Sequence, residues 1–266
     1  MTTSLPGPLP GLGLGFLCYK SYDTFSRALS TYKDRYLFDH FVEQVVFFNS
    51  IDAEACRLAD QYALRAEGTD QNLGILGGFK ALAQTMQSEF VLLLENDLPL
   101  IEDAETTRRR LEEGLSALQS GSADVFRFRH VAHPGQRFQA AGKYLRYHGP
   151  GALPALRRLV RPQKAHKLLG NAIYCEASPA RKFGEITEAE DSTYRIPAAH
   201  ITWTNQSIMV RRDFFLNEII AWAEANPSSR TVNGFPDIEK EWNCARWRKS
   251  GWVVGAGGGL FTHERI

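Results

Sequence analysis

The segment Phe90-Val-Leu-Leu-Leu-Glu95-Asn96-Asp97-Leu98-Pro99 constrains this chain most, because an uninterrupted apolar run ends abruptly in two carboxylates one residue apart. Such a run predicts a strand buried on both faces, as at the centre of a parallel sheet. Side chains alternate along a strand, so Glu95 and Asp97 leave from one face at its carboxyl end, where open α/β sheets bind ligands. Paired hard oxygen ligands there suit Mg²⁺ or Mn²⁺ bridging to a diphosphate. The competing reading is an acidic turn that stops the strand before Pro99.

A chain of 266 residues with 44% hydrophobic content can bury a sizeable core, and the expectation is one domain over residues 1–266. Lys and Arg number 31 against 30 Asp and Glu, a formal charge of +1, so nothing global points to nucleic acid and any anion binding must be local. Cys18, Cys56, Cys175 and Cys244 are far apart and form no C-x-x-C pair, which disfavours a zinc site or a disulfide framework and suits a reducing compartment. Met1 to Gly15 has no basic leader-like start, and Leu12 to Tyr19 is too short to span a bilayer. A soluble, cytoplasmic protein without a transmembrane segment is therefore expected. Gly11-Leu-Gly13-Leu-Gly15 precedes the first expected strand, whereas a dinucleotide fingerprint follows a strand and opens a helix.

From Leu14 to Leu98 strand-like and helix-like segments alternate, predicting βαβ units. Strands are expected over Phe16 to Tyr19, Val42 to Phe48, Ala63 to Ala66 and Phe90 to Glu95. Helices are expected over Thr24 to Tyr32, Ala53 to Tyr62 and from Gly74 to Met86. Four strand ends would then converge on one edge.

Beyond Ile101 the pattern changes. Glu102 to Gln119, with Arg108, Arg109 and Arg110, predicts a charged helix with a solvated face. Ala123 to Val131 alternates apolar and basic residues, as a strand with one wet face would. His133 to Pro154 reads as a long loop. Arg157, Arg158, Arg161, Lys164 and Lys167 would share one side of a helix, facing solvent, a phosphate-bearing acceptor or an anionic membrane surface to which the protein is peripheral. Ile201 to Val210 is a strand candidate, Phe214 to Ala225 a helix, and the loop Asn226 to Pro236 leads into the cluster Asp237-Ile-Glu239-Lys-Glu241.

The order of these features resembles the GT-A class of nucleotide-sugar glycosyltransferases, particularly the large inverting family that includes many bacterial and viral rhamnosyl- and glucosyltransferases. The likeness runs from about Gly15 to His263 and rests on Phe16 to Ser21, Asn49 to Asp52, the turn Asn72-Leu73-Gly74, and Glu95-Asn96-Asp97 in place of a D-x-D motif. It implies a GT-A (Rossmann-like) α/β fold with a mainly parallel central sheet flanked by helices, residues 12–100 as the nucleotide-binding half and 101–266 as the acceptor-binding half. Glu95 replaces the usual first Asp, so it would reach ribose or a metal-bound water while Asp97 ligates the metal. Asn49 stands where an Asp often contacts the base, which leaves the nucleobase open.

The resemblance further implies a nucleoside-diphosphate sugar donor, with UDP favoured, a glycan or other hydroxyl acceptor, and Mn²⁺ or Mg²⁺ held by Asp97 and His263. Tyr19, Ser21, Asn49, Asp52, Asn72, Lys80, Glu95 and Asn96 would bind the nucleotide sugar, and Trp203 and Asn205 the acceptor. Tyr144 and Tyr147 are further candidates for stacking on sugar rings. Asp237 is the expected base that takes the acceptor proton, with Glu239 the alternate. Gly255 to Gly259 would let the chain pass close to the diphosphate before His263. Three other classes stay open. A sugar nucleotidyltransferase normally carries a glycine-rich loop with Arg and Lys where this chain has Cys18-Tyr-Lys20-Ser-Tyr-Asp23. A non-catalytic nucleotide-sugar or glycan-binding domain would keep the pocket without the base, and a retaining transferase shares the fold. A phosphotransferase is disfavoured because no G-x-x-x-x-G-K-[ST] occurs.

Overall fold

Apolar residues that alternate along the chain pair into a sheet in the computed structural model, which describes residues 7–136 and 138–264. Residues 1–6, part of the stretch read for a leader, lie outside the described residues. Among the described residues the strands are β1 (Leu9–Cys18), β2 (Phe41–Asn49), β3 (Arg65–Thr69), β4 (Phe90–Glu95), β5 (Val125–Arg129), β6 (Thr187–Glu188), β7 (Tyr194–Pro197), β8 (Ile208–Arg211) and β9 (Val253–Phe261). They form one nine-stranded sheet of order β3-β2-β1-β4-β8-β5-β9-β7-β6. β1 to β4 pair in parallel, β8 enters antiparallel between β4 and β5, β9 lies parallel to β5, and β7 and β6 close the edge through antiparallel pairs. Of the nine, β7 and β8 run against the rest, so the sheet is mainly parallel, as expected.

Alternation along β4 sends Phe90, Leu92 and Leu94 into one core and Val91 and Leu93 into another. The first is roofed by helices α1 (Tyr22–Asp34), α2 (Ala53–Gln61) and α4 (Ala104–Gln119), the second by α3 (Gly74–Thr85) and the C-terminal helices that carry Phe215, Trp242 and Trp247. Helix α1 buries Phe25, Ala28, Leu29 and Tyr32, the i, i+3, i+4, i+7 stripe of an amphipathic helix. Each such large side chain, fully buried, stabilises the fold by about 1.5–3 kcal/mol. Leu92→Asp would place an unpaired charge in the first core and break it. Asp52 and Asp103 start α2 and α4 by accepting from backbone N–H groups of the first turn.

Several expectations change. Gly11-Leu-Gly13-Leu-Gly15 lies inside β1 rather than before it, with Gly13 and Gly15 on the face where Met86 and Leu82 pack against the strand. β5 has no wet face, since all five residues are buried and Arg127 and Arg129 are only 5% and 6% exposed. The expected loop after His133 contains helix α5 (Gln139–His148), because Tyr144 and Tyr147, three apart, bury one helical face, and Gly149-Pro150-Gly151 ends it. The basic stretch is two helices, α6 (Ala152–Val160) and α7 (Pro162–His166), because Pro162 cannot continue the first and opens the second. Only Ile208–Arg211 of the Ile201 to Val210 candidate is strand; before it the backbone bends while the Trp203 indole donates to the Asn205 side chain at 2.8 Å. Arg109 and Arg110 of α4 bond to the buried Glu113, so that helix face is not simply solvated. No helix among the described residues is long and apolar enough to cross a membrane, and the four cysteines are free thiols.

Candidate functional site

The carboxyl ends of β1, β2 and β4 open onto a cleft of about 400 Å³, lined among others by Tyr19, Ser21, Asn49, Asn72, Glu95, Asn96 and Asp97. β1 leaves it through Lys20 and Ser21, consecutive non-glycine residues in the left-handed region with φ of 51° and 52°, a strained exit of the sort found at binding sites. Across the cleft stands the tip of the 226–236 loop, where Val232 and Phe235 exchange backbone hydrogen bonds at 2.9 and 3.0 Å around Asn233-Gly234. Both turn residues have positive φ, which fits the Asn-Gly preference of tight hairpins. Val232, Asn233 and Phe235 complete the cleft wall.

The Asn72-Leu73-Gly74 turn is held from below. The Asn72 side chain accepts from Gly74 N at 2.8 Å, and the buried Asn49 amide donates to Gly74 O at 3.0 Å and accepts from Leu73 N. Gly74 has φ of 71°, and a Cβ there would stand 2.4 Å from Phe235 Cβ, so only glycine permits both the turn and the loop packing. Asn49 thus fixes the turn that starts α3 and also lines the cleft.

At the inner end of the cleft, Asp97 Oδ2 lies 3.0 Å from His263 Nε2, with both residues buried. Cis ligands of an octahedral ion at about 2.1 Å stand about 3.0 Å apart, so this carboxylate oxygen and imidazole nitrogen fit two positions of Mn²⁺ or Mg²⁺. Among the described residues no group of three or more His, Cys, Asp or Glu side chains gathers that could hold a metal ion by itself. Glu95 lines the same cleft.

His263 arrives by way of the glycine run. β9 bulges against β5, since Arg127 pairs with Ala256 but Arg129 with Phe261. The chain then hydrogen-bonds along the β4 exit, Thr262 N to Pro99 O at 3.1 Å and Glu264 N to Asp97 O at 3.0 Å. The loop around Gly135, φ 80°, clamps the other side, and a Cβ at Gly135 would stand 2.4 Å from His263 N. The run therefore builds a bulge that delivers His263, with its glycines packed against Phe126 and Arg110.

His263 also lines a second, larger cavity of about 1160 Å³. Its floor is Arg127 and Arg129 from β5. Arg129 donates to the Gln206 side chain and to Pro134 O and lies 5.0 Å over the Phe138 ring, while Arg127 donates to Thr202 O. Gln206 Nε2 in turn lies 3.5 Å from His263 Nε2. Burial lowers the affinity of both guanidinium groups for their protons, an effect the nearby Tyr174 hydroxyl opposes. Lys143, Arg161, Lys164, Lys167 and Arg230 line the rest, and Glu239 is the acidic side chain among the lining residues. The Glu239 carboxyl accepts from Thr204 Oγ1 at 2.7 Å and Asn205 N at 3.2 Å. Burial pushes that carboxyl up, against the opposing pull of the Thr204 bond, so it holds a proton more strongly than an ordinary glutamate.

Asp237, expected as the base, caps the helix Ile238–Trp242 by accepting from Glu239 N at 3.3 Å, is buried, and does not line either cavity; Glu239 does. Glu241 holds the loop by accepting from Ser228 N at 3.0 Å. Asp52 caps α2 and pairs with Lys20 at 2.9 Å, a bond that holds its carboxyl well below the usual range, and it lies outside the cleft lining. Lys80 pairs with Glu224 at 2.7 Å, also away from the cleft. Trp203 lines the cavity yet is only 2% exposed and packs edge-on against Trp247, and the buried Asn205 accepts from its indole and does not line the cavity. Tyr144 and Tyr147 are buried rather than offered to a sugar, Tyr144 donating to Glu176 at 2.7 Å. Arg127, Arg129, Gln206, Arg230 and Phe235 were not assigned to a site from sequence; the paired arginines of β5 and the Asn233-Gly234 turn were the visible signals.

No family model matches the chain, and no curated protein matches it. Solved structures do. S. aureus TarS superposes on 96% of this chain with TM-score 0.52 and 14% identity, the chain spanning 36% of TarS. Mycobacterium tuberculosis glucosyl-3-phosphoglycerate synthase, in complex with Mn²⁺, UDP and phosphoglyceric acid, superposes on 100% of this chain at TM-score 0.51 and 11% identity, over 78% of its own length. A further complex of that synthase, with Mn²⁺, UDP and glucosyl-3-phosphoglycerate, gives 0.50 and 9% over 96% of this chain and 72% of its own. With the strand order and the cleft at the ends of β1, β2 and β4, these likenesses establish that the chain has the GT-A fold of nucleotide-sugar glycosyltransferases.

Proposed function

We propose that this chain is an inverting glycosyltransferase that moves a sugar, a hexose in the favoured case, from a nucleoside diphosphate, UDP in the favoured case, to an acceptor hydroxyl. The contact between Asp97 and His263 carries the reading, because it joins the cleft suited to a nucleotide to the cavity that holds Glu239. Residues 12–100 would act as the nucleotide half of one catalytic domain and 101–266 as its acceptor half, with the 226–236 loop contributing to both sites. Tyr19, half-exposed at the cleft, offers a ring face for the base, and Glu95 a carboxylate for ribose. The Mn²⁺ and UDP in the synthase structures favour this donor. Four free thiols suit a cytoplasmic setting.

Asp97 and His263 would hold Mn²⁺ or Mg²⁺, whose charge offsets what builds on the leaving diphosphate. Glu239, poised by burial as a strengthened base, takes the proton of the acceptor hydroxyl. As the acceptor oxygen bonds to the anomeric carbon from the opposite face, the bond to the diphosphate breaks and its electron pair leaves with the phosphate oxygen. Arg127, Arg129 and the lysines of the cavity would orient an acceptor that bears a phosphate or carboxylate.

The test is a thermal-shift panel of UDP, GDP, dTDP and CMP, each with Mn²⁺ or with EDTA, on wild type and on Asp97→Ala. Stabilisation by one diphosphate that requires both the ion and Asp97 is expected. No shift with any nucleotide would return the acidic pair to a strand-ending turn. Anomer analysis of the product by NMR then separates inversion from retention.

A further inference from the structure

We propose that α6 and α7 form a docking surface for an anionic lipid bilayer, set beside the larger cavity so that an acceptor would be met at the headgroup layer. The docking itself needs no transfer chemistry; only its consequence for the acceptor rests on the proposed function.

Two observations point the same way. Helix α6 has no buried residue, and Leu153, Leu156, Leu159 and Val160 are 66%, 55%, 79% and 67% exposed. At about 100° per residue these four occupy roughly a third of the helix circumference. Arg158, on the side of α6 opposite this arc, donates to Tyr147 O at 2.6 Å, and Arg157, at the arc's edge, donates to Arg146 O at 3.3 Å, which ties α6 to α5 and leaves the apolar arc turned outward. Leu145 of α5, 47% exposed, adds to this apolar surface.

Charge selects the occupant. The whole chain is nearly balanced at +1, yet residues 139–175 contain seven Lys and Arg (Lys143, Arg146, Arg157, Arg158, Arg161, Lys164, Lys167) and no Asp or Glu. A second copy of this chain would bring the same positive surface against it, and like charges across an interface are penalised. An exposed apolar arc amid basic side chains is the pattern of a helix that lies in the headgroup region of anionic membranes, and nine residues are too few to span one. Val160, Arg161 and Lys164 also line the larger cavity, so docking and acceptor binding share an edge.

The experiment is co-sedimentation of the full chain, without sugar nucleotide, with vesicles of phosphatidylcholine alone or with about one third phosphatidylglycerol, at low and high salt. The variant is Leu153→Ser with Leu156→Ser and Leu159→Ser, which leaves the core untouched; an unchanged Tm verifies its fold. Expected are binding to anionic vesicles only, weakening with salt, and a partition coefficient at least about ten-fold lower in the variant. Equal binding to neutral vesicles, or unchanged binding by the folded variant, would overturn the proposal. So would a dimer in sedimentation equilibrium that the variant abolishes. Vesicle binding without any nucleotide response would leave the docking surface standing and remove the transferase reading instead.

Discussion

Asp97 Oδ2 and His263 Nε2 meet at 3.0 Å, one from the exit of β4 and the other from the exit of the last strand. Asp97 lines the smaller cleft and His263 the larger cavity. The backbone bonds from Thr262 to Pro99 and from Glu264 to Asp97 lock the two exits together, so the pair is positioned by main chain rather than by flexible side chains alone.

Asp97→Ala should lower turnover by about 10²–10³-fold, the usual loss when a group that stabilises developing charge is removed, and should abolish ion-dependent nucleotide binding. His263→Ala should do the same to a smaller degree. Initial rates across a Mn²⁺ titration check both.

Glu239→Gln should reduce kcat by about 10²–10⁴-fold, the range of general-base catalysis, with donor KM unchanged. Asp237→Ala should instead cost about 1 kcal/mol of stability through loss of the helix cap while keeping most of the turnover. Steady-state kinetics beside thermal melts of the two variants separate the roles, and the reverse ranking would reinstate Asp237 as the base.

The half-buried environment of Glu239 predicts a pH signature. Its carboxyl is raised and works deprotonated, so the acid limb of kcat should lie at higher pH than for an ordinary glutamate. A raised folded-state pKa also means that the unfolded chain loses this proton first, so stability is lost as pH rises through the folded value. Glu239→Gln should therefore raise Tm above neutrality and change it little in acid. Melts and rate profiles from about pH 5 to about pH 9 check both signs.

Gly135→Ala should displace the His263 backbone and weaken ion affinity, because its Cβ would fall 2.4 Å from His263 N at a φ of 80°. Titrating Mn²⁺ against wild type and variant, with UDP present, reads the loss; equal affinities would show that the loop can yield.

Lys80→Ala should leave nucleotide affinity unchanged, since its ammonium is held by Glu224 on a largely exposed surface. Such pairs contribute about 0–1 kcal/mol. A calorimetric Kd for the responding nucleotide checks this, and a weakened Kd would return Lys80 to the binding site.

The sequence by itself determined the N-terminal, parallel part of the sheet. The periods of β1 to β4 and their helices depend on burial along one continuous stretch of chain, so the convergence of Tyr19, Ser21, Asn72, Glu95, Asn96 and Asp97 was legible before any coordinates. Tertiary structure decided the rest, for physical reasons that no local window contains. Arg127 and Arg129 read as a wet strand face, yet the fold leaves them 5% and 6% exposed and lining a cavity built with residues distant in the chain, such as Phe138, Lys167 and Thr202. Asp237 and Glu239 are both acidic residues at a helix start, and only their directions of approach make one a cap and the other a cavity wall. The α5 helix hid within a stretch rich in glycine and aromatics, because what stabilises it is the burial of Tyr144 and Tyr147 against distant residues such as Glu176. The pairing of Asp97 with His263, which the family resemblance implied, is made physically by the bulge in β9 and the ladder onto Pro99, contacts between the middle and the end of the chain that local pattern does not encode.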